Sequence, residues 1–266
     1  MNQPIRIAFF DIDWTLFDHK NERWSYQSIE AIKVLKKKGI KVILCSARPF
    51  HSMDVFGVFR LGIRWDGYIS SAGACAYADG KFLRKTLIAP NRVRDFLALV
   101  KKENLTCEIV EPLTRKLAFP QTDISKEYYE RFKEYVPPVL SYEGEEVTGI
   151  NLFSHEDTDP IFISAFPDFV FYRYATMAND VSGEPHHKGD AIEVVLKHYG
   201  LTKEEAIAFG DDYQDITMAE HVGAFVAMNN GKDEVKKVAS FVCPDVWDDG
   251  VYYGLKHYGL IDEEKR

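Results

Sequence analysis

The sequence has no excess of positive charge. Its 33 lysine and arginine residues face 41 aspartate and glutamate residues, so the formal net charge is −8. A nucleic-acid-binding domain usually carries a basic patch or stripe, and we therefore expect no nucleic-acid partner. The run Lys36-Lys37-Lys38 comes late in a predicted helix, where it complements the helix dipole on a solvated face.

Cysteine and long apolar stretches are also scarce. The chain has four cysteines, none of them in a C-x-x-C pair, so we expect reduced, buried thiols in a cytosolic protein. No apolar run approaches the roughly 20 residues that span a bilayer, and the first residues lack the basic and apolar regions of a signal peptide. We therefore expect a cytoplasmic protein with no membrane partner.

The composition fits a folded chain without repeats or low-complexity tracts. Of the 266 residues, 46% are hydrophobic and 28% are charged, which allows a sizeable core and argues against global disorder. The length is sufficient for one large or two smaller domains.

An apolar run that ends in two carboxylates stands near the start of the chain. Residues 5–10 read Ile-Arg-Ile-Ala-Phe-Phe, which suits a parallel strand covered on both faces, although periodicity alone leaves a buried helix open. Asp11 and Asp13 follow, and they share one face if the strand extends through Asp13. A polar turn is the alternative reading of a single Asp. Ligands of open α/β sheets bind beyond the carboxyl ends of strands, so the pair marks a candidate site.

The predicted elements divide the chain into two patterns. Strands and helices alternate up to about residue 80 and again after residue 187, which is typical of a parallel α/β sheet. We predict one α/β domain at residues 1–80 and 187–266 and an inserted α+β domain at residues 81–186. The inserted segment has predicted strands near residues 81–87, 106–110, 147–153, 169–174 and 177–181 and helices near 91–103, 125–135 and 159–165.

Two more predicted strands end in polar residues. The strand at residues 40–45 leads into Ser46, and the strand at residues 206–209 leads into Asp211, with Asp215 close behind. Lys188 begins the helix before that last strand. A carboxylate cluster repels itself unless a cation joins it, and hard oxygen ligands suit Mg²⁺. Ser46 and Lys188 add a hydroxyl and a point charge for a phosphoryl group, and a carboxylate is able to act as nucleophile.

These residues resemble the motifs of the haloacid-dehalogenase superfamily of phosphatases. Asp11-Ile12-Asp13-Trp14-Thr15 is similar to its D-x-D-x-T signature, Ser46 matches the second motif, and Lys188 matches the third. Residues 210–215, Gly-Asp-Asp-Tyr-Gln-Asp, match the fourth motif, G-D-D-x-x-D. The motifs occur in the order of the family and span most of the chain.

Motif spacing indicates the type of cap domain. Only 34 residues separate Asp11 from Ser46, whereas 141 separate Ser46 from Lys188. The chain therefore resembles the Cof-type branch, whose α/β cap (type IIB) enters between motifs two and three. The resemblance implies a Rossmann-like parallel-sheet core with this cap above the strand ends.

The resemblance also implies a role for each motif residue. Asp11 is expected to be the nucleophile that becomes an aspartyl phosphate, and Asp13 the general acid and then the general base. Ser46 is expected to bind a phosphoryl oxygen, and Lys188 to neutralise Asp11 and the phosphoryl group. The residues expected at the metal are Asp11, Asp13 through its carbonyl, Asp211 and Asp215. The residues expected at the substrate or its loops are Thr15, Arg48 and Asn230.

Three positions depart from the motifs of the family. The second motif, usually T-G-R, reads Ser46-Ala47-Arg48, which keeps the hydroxyl. Gln214 stands where the fourth motif usually has Asn, which leaves a direct role open. The usual N-G-A after the third strand reads Ala72-Gly73-Ala74, so the side-chain contact of that Asn is absent.

The resulting expectation is a phosphoric monoester hydrolase that is Mg²⁺-dependent and acts on small phosphorylated metabolites, with sugar phosphates foremost, as a monomer or weak homodimer. A phosphomutase of the same fold stays open as an alternative, because its core and cap are similar. A non-enzymatic phospho-acceptor is a further alternative, although receiver domains are shorter and lack a second acid at the position of Asp13. In the inserted segment, Arg115, His155, Arg173 and Tyr174 are candidate substrate contacts, with surface or core roles as the alternative. The adjacent His186 and His187 are interpreted as a linker.

Overall fold

The computed structural model describes residues 4–262. Its strands are β1 (Ile7–Phe10), β2 (Phe17–Asp18), β3 (Arg23–Trp24), β4 (Lys41–Cys45), β5 (Gly67–Ser70), β6 (Cys75–Ala78), β7 (Lys81–Lys85), β8 (Thr106–Val110), β9 (Arg115–Leu117), β10 (Gly149–Phe153), β11 (Val170–Ala175), β12 (Ala178–Ser182), β13 (Ala206–Gly210), β14 (Ala224–Met228) and β15 (Phe241–Cys243). Its α-helices are α1 (Tyr26–Lys37), α2 (Phe50–Phe56), α3 (Pro90–Lys102), α4 (Asp123–Phe132), α5 (Asp159–Ala165), α6 (Lys188–Tyr199), α7 (Ile216–His221), α8 (Asp233–Val238) and α9 (Gly250–His257).

The chain forms two compact units. We call the first the core unit; it comprises the described parts of Met1–Arg48, Ser52–Arg84 and His186–Arg266. We call the second the inserted unit; it comprises Pro49–His51 and Lys85–Pro185. Neither unit, across residues 4–262, contains a helix that is long and apolar enough to cross a membrane.

The core unit is built on an eight-stranded sheet with the order β15-β14-β13-β1-β4-β5-β6-β7. The pairs from β15 to β5 are parallel, and β6 then pairs antiparallel with β5. The sheet is covered on both faces, which explains the apolar run at residues 5–10. Ile7 and Phe9 share a buried cluster with Ile192 and Val195 of α6. On the other face Phe10 stacks on Phe209, with ring centroids 5.2 Å apart.

The inserted unit has a five-stranded sheet with the order β11-β12-β10-β8-β9, and its pairs are antiparallel. Phe96 of α3 and Phe162 of α5 are buried with Ile109 and Ile150 against one side of this sheet. Helix α4 begins with a capping box formed by Thr122 and Ser125, which satisfies backbone donors at its first turn. The expected α/β class, with a parallel-sheet core and an α+β insertion, is confirmed.

The structure corrects several local predictions. The strand predicted near residues 81–87 is β7, at the edge of the core sheet rather than in the α+β segment. Asp79 and Gly80 adopt left-handed backbone angles and turn the chain back beside β6, whose strand the periodicity did not indicate. Helix α2 ends at Phe56, because Gly57 has a φ of +93°. All four cysteines are buried and none is in a disulfide, which agrees with the expectation of reduced, buried thiols.

The turn after β5 fixes the start of α6. Ser71, Ala72 and Gly73 have φ angles of +49°, +53° and +106°, a region that L-residues with a side chain rarely adopt. A Cβ atom on Gly73 would lie 2.2 Å from the carbonyl oxygen of His187. The backbone of the turn therefore touches the residue before Lys188 only because position 73 carries no side chain.

We predict that Gly73→Ala destabilises the protein by several kcal/mol. The left-handed angle alone costs about 1–2 kcal/mol, and forcing an extra methyl group into a packed site costs about 1–3 kcal/mol more. Gly80→Ala is the matched control, since Gly80 has a φ of +82° but no atom within 4 Å of its Cβ position. Urea unfolding measures both. Equal losses in the two variants would show that the contact with His187 is unimportant.

Candidate active site

The candidate site lies where three adjacent strands of the core sheet end. Strands β13, β1 and β4 are neighbours, and Asp211, Asp11 and Ser46 follow their last residues directly. All three side chains are buried. The sequence-based expectation that these residues share one edge of the sheet is confirmed, because parallel strands bring their carboxyl ends to the same edge.

Three carboxylates meet at this edge. Asp11, Asp211 and Asp215 each place an oxygen within 4.8 Å of the others. We call this set the acidic triad. The backbone N–H groups of Asp211 and Asp212 donate to Oδ2 of Asp215, at 2.9 and 3.0 Å. A Cβ atom on Gly210 would lie 2.5 Å from Cγ of Asp215, so the glycine of the fourth motif allows this carboxylate to fold back beside the strand.

Lys188 is the cation that contacts the triad. Its Nζ donates to Oδ1 of Asp11 at 2.7 Å and to Oδ1 of Asp215 at 2.6 Å, and its side chain is almost fully buried. The residue is the first of α6, as the sequence predicts. Helix α6 is fixed on the sheet by its apolar face, which includes Ile192 and Val195.

The charges at the triad do not balance. Three carboxylates face one ammonium group, and burial raises the pKa of Asp11 to about 8 although Lys188 opposes the shift. Burial, together with the neighbouring Asp11 and Asp215, raises the pKa of Asp211 to about 9. Burial also opposes the charge on Lys188, but the two carboxylates that it contacts raise its pKa well above the ordinary value. The triad therefore favours an additional positive charge.

The donor set at the triad fits a hard divalent cation. The groups that converge are carboxylate oxygens, which Mg²⁺ and Ca²⁺ prefer, and none is a sulfur or imidazole ligand. Thr15 donates its hydroxyl to Oδ1 of Asp211 at 3.1 Å and is fully buried. Thr15 thus orders one carboxylate of the triad.

Asp13 is not part of the triad. The strand β1 ends at Phe10, so the condition under which Asp11 and Asp13 would share a strand face is not met. Nε of Arg48 donates to Oδ2 of Asp13 at 2.8 Å, and Nη2 donates to Oδ1 at 2.7 Å. His19 Nε2 lies 2.6 Å from Oδ1. Burial pushes the pKa of Asp13 upward, but the hydrogen bonds from His19 and Arg48 outweigh it and hold the pKa well below its usual range.

Ser46 and Asn230 lie in the loops around the carboxylates. The Ser46 hydroxyl accepts a hydrogen bond from the backbone N–H of Arg48 at 3.1 Å, which keeps the residues of the second motif together. Asn230 donates through Nδ2 to the carbonyl of Trp14 at 2.9 Å and accepts at Oδ1 from the N–H of Val246 at 2.7 Å. Asn230 therefore ties the loop after β1 to the loop after β15.

One residue beside Asp13 was missed in the sequence, since His19 belongs to no motif. Its neighbour Trp14 occupies an unspecified position of D-x-D-x-T, and the sequence left a place at the site open for it, with core packing as the default. Trp14 has a φ of +59°, and its ring centroid lies 5.2 Å from that of His19. A sequence feature that could have indicated these contacts is the number of aromatic and imidazole rings in a short segment. Within eleven residues the chain has Trp14, Phe17, His19 and Trp24.

The candidate contacts of the inserted unit are engaged within that unit. Arg115 donates to Glu134 at 2.7 Å, and Arg173 donates through Nε to Asp159 at 2.9 Å. Arg115 and Arg173 are therefore ion-paired, which agrees with a surface or core role, the alternative to substrate contact.

Comparison with known proteins agrees with this geometry. A family model described as haloacid dehalogenase-like hydrolase matches residues 8–255. A Bacillus subtilis (strain 168) protein named "Putative phosphatase YkrA" is 28% identical over 259 residues, which cover 96% of this chain and 98% of that protein.

Solved structures share the whole fold. A hypothetical protein from Geobacillus kaustophilus HTA426 has a TM-score of 0.91 at 28% identity, covering 97% of this chain and 100% of that one. The sugar phosphatase BT4131, described as HAD subclass IIB, has a TM-score of 0.77 at 28% identity, covering 96% of this chain and 100% of that one. The motif residues, the fold and these relatives identify the chain as a phosphoric monoester hydrolase of the haloacid dehalogenase-like family.

Proposed function

We propose that the protein is a Mg²⁺-dependent phosphatase of small phosphorylated metabolites, with sugar phosphates as the substrate class, and that it works through an aspartyl phosphate on Asp11. The observation that carries the proposal is the acidic triad with Lys188 at the ends of three adjacent strands. The similarity to a sugar phosphatase of subclass IIB supports the substrate class.

The residues that would hold Mg²⁺ are Asp11, Asp211 and Asp215 through their carboxylates and Asp13 through its carbonyl. The excess negative charge of the triad supports this assignment. When bound, the ion supplies positive charge to the carboxylates and to the phosphoryl oxygens. Lys188 contributes a second, fixed positive charge through its contact with Asp11.

In the first step, a carboxylate oxygen of Asp11 forms a bond to phosphorus while the bond from phosphorus to the leaving oxygen breaks. Asp13 gives its proton to that leaving oxygen, because an alkoxide is a poor leaving group at neutral pH. The resting contacts of Asp13 favour its ionised form. A bound phosphoryl group adds negative charge beside Asp13, and a nearby like charge favours the protonated form of a carboxyl group.

In the second step, water attacks the phosphorus of the aspartyl phosphate. Asp13 is now ionised and takes a proton from that water, while the bond between Asp11 and phosphorus breaks and releases inorganic phosphate. Arg48 and His19 keep Asp13 in the ionised form in which it can take that proton. The Ser46 hydroxyl is proposed to donate to a phosphoryl oxygen in both steps.

The same proposal includes a cytoplasmic protein that acts as a monomer or weak homodimer and binds neither nucleic acid nor membrane. The net charge of −8 and the four buried cysteines, none of them in a disulfide, support it. Sedimentation velocity measures the oligomeric state directly.

We predict that activity depends on the metal. Protein dialysed against EDTA should release no inorganic phosphate from a hexose phosphate or from p-nitrophenyl phosphate, and added Mg²⁺ should restore release. Asp211→Asn should remain inactive with Mg²⁺, whereas Asp54→Asn, which alters an exposed carboxylate elsewhere in the core unit, should behave like the wild type. Full activity after exhaustive chelation would refute the metal requirement. Conversion of one sugar phosphate into another without phosphate release would identify a phosphomutase instead.

We also predict a pH-dependent stability of the metal-free protein. The folded pKa values of Asp11 and Asp211, about 8 and about 9, lie above the unfolded value of about 3.9. Between these limits the folded protein holds protons that the unfolded chain has released, so the free energy of unfolding should fall as the pH rises from 5 toward 9.

Mg²⁺ should reverse this loss most strongly at the alkaline end, where protons compete least with the metal. At a concentration near one hundred times its Kd it should add about 2.7 kcal/mol. Urea unfolding at several pH values, with EDTA or with Mg²⁺, measures the effect. A stability that rises with pH in EDTA, or that ignores Mg²⁺ at pH 9, would contradict the charge imbalance.

A further inference from the structure

His19 lies against the proton-transferring acid of the proposed mechanism. It is in the loop between β2 and β3, and its Nε2 is 2.6 Å from Oδ1 of Asp13. Three aromatic rings surround its imidazole. The ring centroid of Trp14 is 5.2 Å away, that of Phe17 is 4.9 Å away in an edge-to-face arrangement, and that of Phe56 is 6.1 Å away in a stacked arrangement. The imidazole is thus held from several sides, with one nitrogen directed at Asp13.

The same aromatic group also supports the second partner of Asp13. The guanidinium carbon of Arg48 lies 4.1 Å from the ring centroid of Phe56, within the range of a cation–π contact. Phe56 therefore contacts both side chains that bind Asp13. The terminal torsion of an aspartate is broad and roughly two-fold. Arg48 holds both carboxylate oxygens of Asp13, and His19 adds a further contact at Oδ1. Arg48 and His19 together restrict that rotation.

The position of the Trp14 ring is maintained against backbone strain. A φ of +59° is an outlier for a bulky residue, and such strain costs about 1–3 kcal/mol. The carbonyl of Trp14 accepts the hydrogen bond from Asn230 at 2.9 Å, and its N–H donates to the carbonyl of Phe17 at 2.9 Å. These bonds hold the turn that directs the indole onto His19. Strain of this kind occurs where surrounding structure over-determines a functional conformation.

We propose that His19, enclosed by Trp14, Phe17 and Phe56, is a positioning residue that directs the Asp13 carboxyl group toward the leaving oxygen. The proposal rests on the phosphatase function proposed above. In the step concerned, Asp11 forms its bond to phosphorus, the leaving oxygen departs, and the proton moves from Asp13 to that oxygen. His19 exchanges no proton with the substrate. It fixes the orientation of Asp13, and misplacement by about 1 Å can lower a rate about 100-fold.

Two substitutions separate the hydrogen bond from the packing. His19→Gln keeps an N–H donor that can reach Asp13 but removes the ring, whereas His19→Phe keeps the ring and removes the donor. The readout is kcat/KM for a hexose phosphate and for p-nitrophenyl phosphate, because kcat/KM reports the transfer to Asp11. The nitrophenolate needs little protonation, so a residue that acts through Asp13 should matter mainly for the sugar phosphate.

We predict that His19→Phe lowers kcat/KM for the hexose phosphate by about 10–100-fold, a part of the 10²–10⁴-fold that general acid catalysis contributes. Its value for p-nitrophenyl phosphate should change by less than about threefold, and His19→Gln should stay within about threefold of the wild type on both substrates. Equal losses on the two substrates, or activity retained by His19→Phe and lost by His19→Gln, would overturn the proposal.

A double-mutant cycle with Asp13→Asn gives the independent test. If His19 acts through Asp13, His19→Phe should cost little on the hexose phosphate once Asp13 is already Asn. An undiminished effect of His19→Phe in the Asp13→Asn background would show that His19 acts elsewhere. Failure of the phosphatase proposal is distinguishable, because the wild type would then release no phosphate from either substrate with Mg²⁺ present.

Discussion

The contact of one buried ammonium group with two buried carboxylates is the constraint on which the site depends. Lys188 donates to Asp11 and Asp215 at 2.7 and 2.6 Å, and an unpaired charge at this depth would be strongly unfavourable. Several features of the core unit serve this contact. Gly73 allows a turn to approach the residue before Lys188, and Gly210 allows Asp215 to fold back. The parallel sheet then supplies Asp11 at the end of its neighbouring strand.

The resting protonation pattern is the reverse of the one that the chemistry requires. In the proposed mechanism Asp11 must be ionised and Asp13 must carry a proton, yet the pKa of Asp11 is raised to about 8 and that of Asp13 is held low. A cation at the triad favours the ionised form of Asp11, and a phosphoryl group favours the protonated form of Asp13. In the proposed mechanism each acid therefore reaches its working state when its partner binds. The proposal thereby connects catalytic competence to the presence of both metal and substrate.

The sequence predicted elements that are bounded by a clear change in pattern. The strand predicted near residues 106–110 and the helix predicted near residues 159–165 match the structure residue for residue. The order of the motifs also predicted that Asp11, Ser46 and Asp211 would meet. Strand β7 was assigned to the wrong unit, because a short hairpin strand carries no signal of which sheet it joins.

The candidate site was predicted less completely where its geometry depends on turns. The loop after β1 leaves the strand at Phe10, so Asp13 turns to Arg48 and His19 instead of standing beside Asp11. No period or motif encodes that turn. The contacts of Asp13 with Arg48 and His19 depend on this turn, so the sequence did not predict them. His19 also lies in a segment whose strands are only two residues long.

The central claim is that the phosphoryl group passes through Asp11, and its most direct test is to locate the covalent intermediate. In Asp13→Asn the second step is impaired, and p-nitrophenyl phosphate needs little acid assistance in the first, so the phosphoenzyme should accumulate with Mg²⁺ present. Rapid acid quench, peptic digestion and mass spectrometry should find one phosphoryl group on the peptide that contains Asp11, and none in the double variant Asp11→Asn/Asp13→Asn. A phosphoryl group on another residue, or p-nitrophenol release with no phosphopeptide at any time, would contradict the account.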